Sequence, residues 1–349
     1  MSMLQSLRFP SAFVIADAAT GAVISGLNDR VPRPPGSTTK ILTALVVRRR
    51  ADSATPVKVS ARAASMPARR LSLRAGETWR AGDLLRAMLI CSCNDAAVAL
   101  AEAAGGTLRG FEALSRDLAR DLGLRDRPTL QDPSGLDDEF SVDGGNLISA
   151  RDLAIAARAF LNDDLLAGIA VAPSHRFRGG DGELHEVKNH NRLLGRYPGA
   201  IGVKSGYTRR SGSSLVAAAR RGGRTIIVVV LDSPDVYLQA GQLLDIGFAT
   251  PVRDLDRFPR LTVADERAGA SPASPRASSP TAGDNAKEVA TSSGDGDGDG
   301  DGDGGTSSLS LVAVVVVALV AAVALRRRHV VRRRRRRRAA ARARVRSPP

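Results

Sequence analysis

An uncharged run of seventeen residues, Leu309 to Leu325 (LSLVAVVVVALVAAVAL), constrains this chain most. It is just long enough to cross a bilayer, and its neighbours leave it no core to join. Residues 263–308 precede it. They are rich in Ala, Ser, Pro, Gly and Asp and end in a Gly-Asp repeat with almost nothing to bury, which reads as a disordered linker. The repeat lacks the apolar position that lets calcium-binding repeats stack, so calcium is not expected there. Residues 326–349 follow with thirteen Arg and no acid, a stop-transfer signal that places this tail in the cytoplasm and the preceding domain outside. The expected organisation is therefore a folded domain over 1–262, a linker over 263–308, a transmembrane helix over 309–325 and an Arg-rich cytoplasmic tail over 326–349.

The charge follows the same division. Removing the thirteen tail Arg from the net +15 leaves +2 for residues 1–325, so the basic character belongs to the tail and no nucleic-acid partner is implied. The amino terminus, MSMLQSLRFPSAFVIAD, has no basic segment followed by an apolar stretch, so no signal peptide is visible. Either the true start lies upstream of Met1 or the domain stays inside on a tail anchor, and the Arg-rich carboxyl terminus argues for the first. Two Cys, Cys91 and Cys93, are too few for a disulfide scaffold or a cysteine zinc cage. A bridge across two positions would be strained, so free thiols are expected, with Cys93 packing in the interior.

Within the first 262 residues, Ala12 to Ile24 alternates around Thr20-Gly21 and predicts a hairpin. Helical spacing covers Thr38 to Val47, Ala81 to Ala104, Leu108 to Leu122 and Asp235 to Phe248. Ser149 caps a further helix to Leu161, with Asp152 three residues on. Leu215 to Ala219 and Thr225 to Leu231 form a second hairpin around Gly222-Gly223. Strands at both ends and helices between them predict an α+β domain: one antiparallel sheet built from both chain ends, with an inserted helical lobe.

Three short stretches carry chemistry. Ser37-Thr38-Thr39-Lys40 opens a helix, and a three-residue step puts the Lys40 amine within reach of the Ser37 hydroxyl. A serine needs a base to become a nucleophile, and a buried lysine can be one. Only five Lys occur against 46 Arg, so a retained lysine suggests a need for an amine that can lose its proton. Ser92-Cys93-Asn94 interrupts an apolar helical stretch, where a hydroxyl and an amide are either mutually satisfied or functional. Lys204-Ser205-Gly206 precedes the second hairpin, and its Gly leaves room for a peptide backbone at a sheet edge. Taken singly, each has an ordinary explanation: a cap, a helix-helix hydrogen bond, a Gly-rich turn.

Together and in this order, S-T-T-K, S-C-N and K-S-G resemble the signature of the serine D-alanyl-D-alanine carboxypeptidases, the low-molecular-weight penicillin-binding proteins. The resemblance extends over roughly residues 11–249. It includes Ala16 to Lys40, Cys91 to Ala101, Asp132-Pro133-Ser134-Gly135-Leu136, Ser149 to Ala157 and Asn189 to Thr208. It implies a fold of the DD-peptidase and β-lactamase kind. Ser37 would be the acylated nucleophile and Lys40 its base. Ser92 and Lys204 would pass a proton to the leaving D-alanine, and Asn94 would hold the donor peptide. The N–H groups of Ser37 and Tyr207 would form an oxyanion hole, Gly206 would admit the backbone, and Ser205 and Thr208 would hold the terminal carboxylate. The implied partners are stem peptides ending in D-Ala-D-Ala and acylating β-lactams, with no metal or organic cofactor.

The chain departs from the family pattern in two places. Ser205 replaces the usual Thr. No Arg lies between Arg224 and Arg253, where many members hold the substrate carboxylate, so Arg209 or Arg210 is the substitute available. None of His175, His185, His190 and His329 is required by the chemistry, and all four read as polar loop residues. Two other functions compete: a β-lactamase, which needs a deacylating E-x-x-L-N loop not found here, and a catalytically idle wall-binding membrane protein.

Overall fold

The computed structural model describes residues 9–261, so the linker, the apolar run, the Arg-rich tail and His329 lie outside the described residues. In chain order the elements are β1 (Ala12–Asp17), β2 (Val23–Leu27), a 3-10 turn (Gly36–Thr39) running directly into α1 (Lys40–Arg50), β3 (Pro56–Lys58), α2 (Ala61–Ala64), β4 (Thr78–Arg80), α3 (Ala81–Ile90), α4 (Asn94–Gly105), α5 (Leu108–Asp121), α6 (Ala150–Leu161), α7 (Asp164–Val171), β5 (Ser174–Arg178), β6 (Leu184–Lys188), β7 (Ala200–Thr208), β8 (Gly212–Arg221), β9 (Arg224–Ser233), α8 (Val236–Ala249) and a closing 3-10 turn (Val252–Arg257).

Five strands form one antiparallel sheet in the order β2-β1-β9-β8-β7. Both chain ends contribute to it and the helices lie between, as the sequence predicts. The central strand β9 carries Ile226 to Leu231, β-branched or leucine throughout and buried on both faces. Its side chains alternate. Ile227, Val229 and Leu231 face the helical lobe, with Val14 and Ala16 of β1 and Val216 and Ala218 of β8. Ile226, Val228 and Val230 face the other way, onto Leu243 and Leu244 of α8. The period of two therefore divides one sheet between two cores.

Side-chain caps start the helices where the pattern expects them. Ser149 accepts from the Asp152 N–H at the start of α6, and Thr107 accepts from the Gly110 N–H at the start of α5.

Three expectations need correction. The apolar stretch Ala81 to Ala104 is not one helix. It breaks at Cys91-Ser92-Cys93 into α3 and α4, with Ser92 in the left-handed region at φ +64°. Nor are Cys91 and Cys93 free thiols, because they are joined in a disulfide. The left-handed Ser92 between them turns the chain, and the two Cα atoms stand 5.4 Å apart, within the span a disulfide needs. His175 and His185 also sit on strands, not loops. His175 stacks on Phe177 along β5, and His185 stacks on the same ring across the β5–β6 hairpin.

Candidate active site

The cleft forms where the 3-10 turn, the break between α3 and α4, and strand β7 meet. Ser37 lies in the turn and is half-buried, and Lys40 is the first residue of α1 and fully buried. The Lys40 Nζ is 2.9 Å from Ser37 Oγ and 2.9 Å from Asn94 Oδ1, and it also donates to the Ser134 carbonyl. The last two acceptors take the two N–H bonds of a neutral amine and leave its lone pair for the Ser37 hydroxyl proton. Burial pulls the Lys40 pKa down to about 7, and the nearby Arg69 pushes the same way against Asp132 and Asp95. A substantial fraction of Lys40 is therefore unprotonated near neutral pH.

The second amine comes from the strand. Lys204 Nζ donates to Ser92 Oγ at 2.9 Å and to the Ser205 carbonyl at 2.9 Å. Burial holds its pKa well below the ordinary lysine value, and repulsion from Lys40 and Arg69 adds to that. Ser92 reaches Lys204 because its left-handed backbone turns it out of the helical stretch. Asn94 bridges the elements: its side chain accepts from Lys40 and donates to Pro67 O at 3.2 Å.

Gly206 sets the distance between turn and strand. A Cβ there would lie 2.8 Å from the Ser37 N and 3.0 Å from the Thr38 N, so only glycine lets β7 lie against the turn. Across the same seam, a Cβ on Gly36 would come within 3.3 Å of the Tyr207 N. The backbone N–H groups of Ser37 and Tyr207 therefore border one narrow seam beside the nucleophile, the layout of an oxyanion hole.

Ser37, Lys40, Ser92, Asn94 and Lys204, together with Gly206 and Tyr207, are brought together. Ser205 occupies its expected place on β7. Thr208 is already engaged. Its hydroxyl donates to Asp137 at 2.6 Å and contacts Ser211 Oγ at 2.8 Å. Arg210 donates to the Gly144 carbonyl, whereas Arg209 is exposed with no side-chain partner among the described residues.

Three contributions were not assigned from sequence. The first is the floor under Lys40. Asp132 Oδ1 accepts from the N–H groups of Ser134 and Gly135, forming an Asx turn that aims the Ser134 carbonyl at the amine. Gly135, at φ +81°, passes so near Gly36 that a Cβ would sit 2.1 Å from its carbonyl oxygen. Asp-Pro-Ser-Gly is a turn signal that could have suggested this. The second is Asn146, which ties that loop to the turn by donating to Thr39 Oγ1 and Asp132 O. The third is Arg69, which no pattern distinguishes among 46 Arg. His190 also belongs near the site. Burial, then Arg69 and Lys204, lower its pKa.

A half-buried serine facing a buried lysine of lowered pKa, with a hydroxyl–amine pair opposite, is an arrangement able to carry acyl transfer through a serine. The comparisons make the class specific. A family model described as D-alanyl-D-alanine carboxypeptidase matches residues 9–235, and the chain belongs to that family. A D-alanyl-D-alanine carboxypeptidase of Mycobacterium tuberculosis is 33% identical over 243 residues, covering 68% of this chain and 81% of that protein. One from Bacillus subtilis is 31% identical over 244 residues, and the match covers 68% of this chain and 61% of that relative. A crystal structure of a D-alanyl-D-alanine carboxypeptidase from M. tuberculosis matches with a TM-score of 0.65 at 32% identity, covering 70% of this chain and 94% of the other.

Proposed function

We propose that this chain is a penicillin-binding serine carboxypeptidase that removes the terminal D-alanine from peptidoglycan stem peptides. The contact between Ser37 Oγ and a neutral Lys40 carries the reading. Lys40 takes the hydroxyl proton as Ser37 attacks the carbonyl of the penultimate D-alanine. The N–H groups of Ser37 and Tyr207 stabilise the oxyanion. The C–N bond then breaks, and the leaving nitrogen takes the Ser92 hydroxyl proton, which a protonated Lys204 replaces through their hydrogen bond. In the second half, water attacks the ester and gives its proton to Ser92 and Lys204, while Lys40 returns its proton to Ser37, so every group ends as it began. Ser205 holds the terminal carboxylate, with Thr208 joining once it releases Asp137.

Penicillins acylate the same serine. Slow release of that adduct is expected. Asp132, which lies under the site, is occupied by the N–H groups of Ser134, Gly135 and Val142 and is not free to activate water. This weighs against a β-lactamase. The test is labelling with a fluorescent penicillin: a long-lived adduct, lost in Ser37→Ala, supports the carboxypeptidase. Rapid turnover supports a β-lactamase, and no adduct supports an idle wall-binding protein.

The apolar run 309–325 and the Arg block after it support anchoring in the cell membrane, with the catalytic domain outside and the tail in the cytoplasm. Among the described residues no helix is long and apolar enough to cross a membrane. Protease digestion of intact cells, cleaving the catalytic domain and sparing the tail, is the expected result.

A further inference from the structure

We propose that Arg69 forms an anion subsite on the α4 wall of the cleft, taking a carboxylate on the residue that precedes D-Ala-D-Ala in the substrate. The backbone around Arg69 is pinned to the catalytic machinery. The Asn94 N–H donates to the Arg69 carbonyl at 2.7 Å, and the Asn94 side chain donates to Pro67 O. Just beyond, the N–H groups of Leu71, Ser72 and Leu73 donate to the buried Asp95 carboxylate at 3.1, 2.9 and 3.2 Å. Arg69 is thus held beside the residue that orients Lys40.

Its side chain is treated quite differently. Arg69 is exposed, and among the described residues its guanidinium has neither a hydrogen bond nor an ion pair. Asp95, the acid that holds the neighbouring backbone, has both oxygens filled by N–H groups and is shut off from solvent. Lys40, Lys204 and His190 all feel the Arg69 charge. Both lysines and His190 are held toward their neutral forms, and Arg69 has no acid partner among the described residues, so it is a standing positive charge beside the cleft, and such a charge draws in an anion. A guanidinium is suited to bind a carboxylate through paired hydrogen bonds.

The anion comes from the donor side of the peptide. The carboxylate of the leaving residue belongs with the hydroxyls of β7, on the opposite wall from α4. A peptide held there can present to Arg69 only a group from the part that remains on Ser37. This placement rests on the carboxypeptidase reading above.

The test measures binding in the Ser37→Ala protein by calorimetry, where no turnover is needed. The probes are N-acetyl-L-Glu-D-Ala-D-Ala and its isosteric Gln counterpart. The Glu peptide is expected to bind about fivefold tighter. Adding Arg69→Gln removes that preference, and Arg69→Lys keeps part of it. Equal affinity for the two peptides, a preference that survives Arg69→Gln, or no binding of the Glu peptide at millimolar concentration each overturns the proposal. Equal weakening of both peptides by Arg69→Gln also overturns it, by placing Arg69 on the terminal carboxylate. D-alanine release is assayed separately with Ser37 intact. Selective binding without release sinks the carboxypeptidase reading and leaves the Arg69 subsite standing.

Discussion

The two faces of the sheet are built on opposite terms. Beneath α8 the core is apolar: Phe13, Ile15, Leu215, Ile226, Val228 and Val230 pack on Val236, Ala240, Leu243 and Leu244. On the lobe side, the apolar core runs up to a cleft wall where Lys40, Asn94, Asp95, Asp132, Asn146 and Lys204 are all buried. Burying a polar group without a partner costs several kcal/mol, so such a wall persists only where its groups satisfy one another. Here they do, apart from the protonation of two amines. Low polarity holds both lysines toward their neutral forms, helped by Arg69 at both and by Lys40 at Lys204. One face supplies stability through shape, and the other converts incomplete satisfaction into basicity.

Substitutions can break this contrast from either side. The largest effect is expected at Gly206. Gly206→Val drives a side chain into the N–H groups of the turn and should slow acylation by labelled penicillin by at least about a hundredfold, the scale of losing an oxyanion donor. In the apolar layer, Leu244→Ala should cost about 2–5 kcal/mol in denaturant unfolding, while the folded fraction keeps its acylation rate. If acylation fell in proportion, the two faces would not be separable. Asp95→Ala should lie between them. It strands the N–H groups of Leu71, Ser72 and Leu73, costing about 1–3 kcal/mol on unfolding, and it loosens the segment behind Asn94, so acylation falls as well. The smallest effect is expected on reducing Cys91–Cys93. Ser92 sits at φ +64° between the two sulfurs, a position costing about 1–3 kcal/mol, and relaxing it should slow acylation by about two- to tenfold at unchanged fold. Stopped-flow labelling with and without a dithiol reads this.

The difference between the faces also explains what could be read from the chain. The sheet under α8 was legible because alternation and β-branching are local signals, and both hairpins and the α8 region emerged from them. The five central site residues were legible because they lie in three short motifs. The break at Cys91–Cys93 was not. Its flanks are apolar and helix-forming, and only the left-handed Ser92 and the disulfide, which depend on the folded chain, interrupt them. The Lys40 floor was half visible: Asp132 to Gly135 reads as a turn, but nothing local says which carbonyl meets which amine 94 residues away. Arg69 was invisible because the backbone tie to Asn94 that sets it beside the site leaves no mark in the sequence.

The central claim is that Lys40 acts as a neutral amine. A base works only when unprotonated, so with the Lys40 pKa near 7 the rate must fall as pH drops below 7 and level off above it. The most direct measurement is the rate of Ser37 acylation by labelled penicillin from pH 5 to 9, in the wild type and in Lys40→Arg, with melting temperature confirming that the variant is folded. The account predicts a wild-type inflection near pH 7, about tenfold loss per unit below it, and no measurable acylation in Lys40→Arg, which keeps the charge but cannot give up its proton. A folded Lys40→Arg protein that acylates at the wild-type rate, or a wild-type rate indifferent to pH, would contradict it.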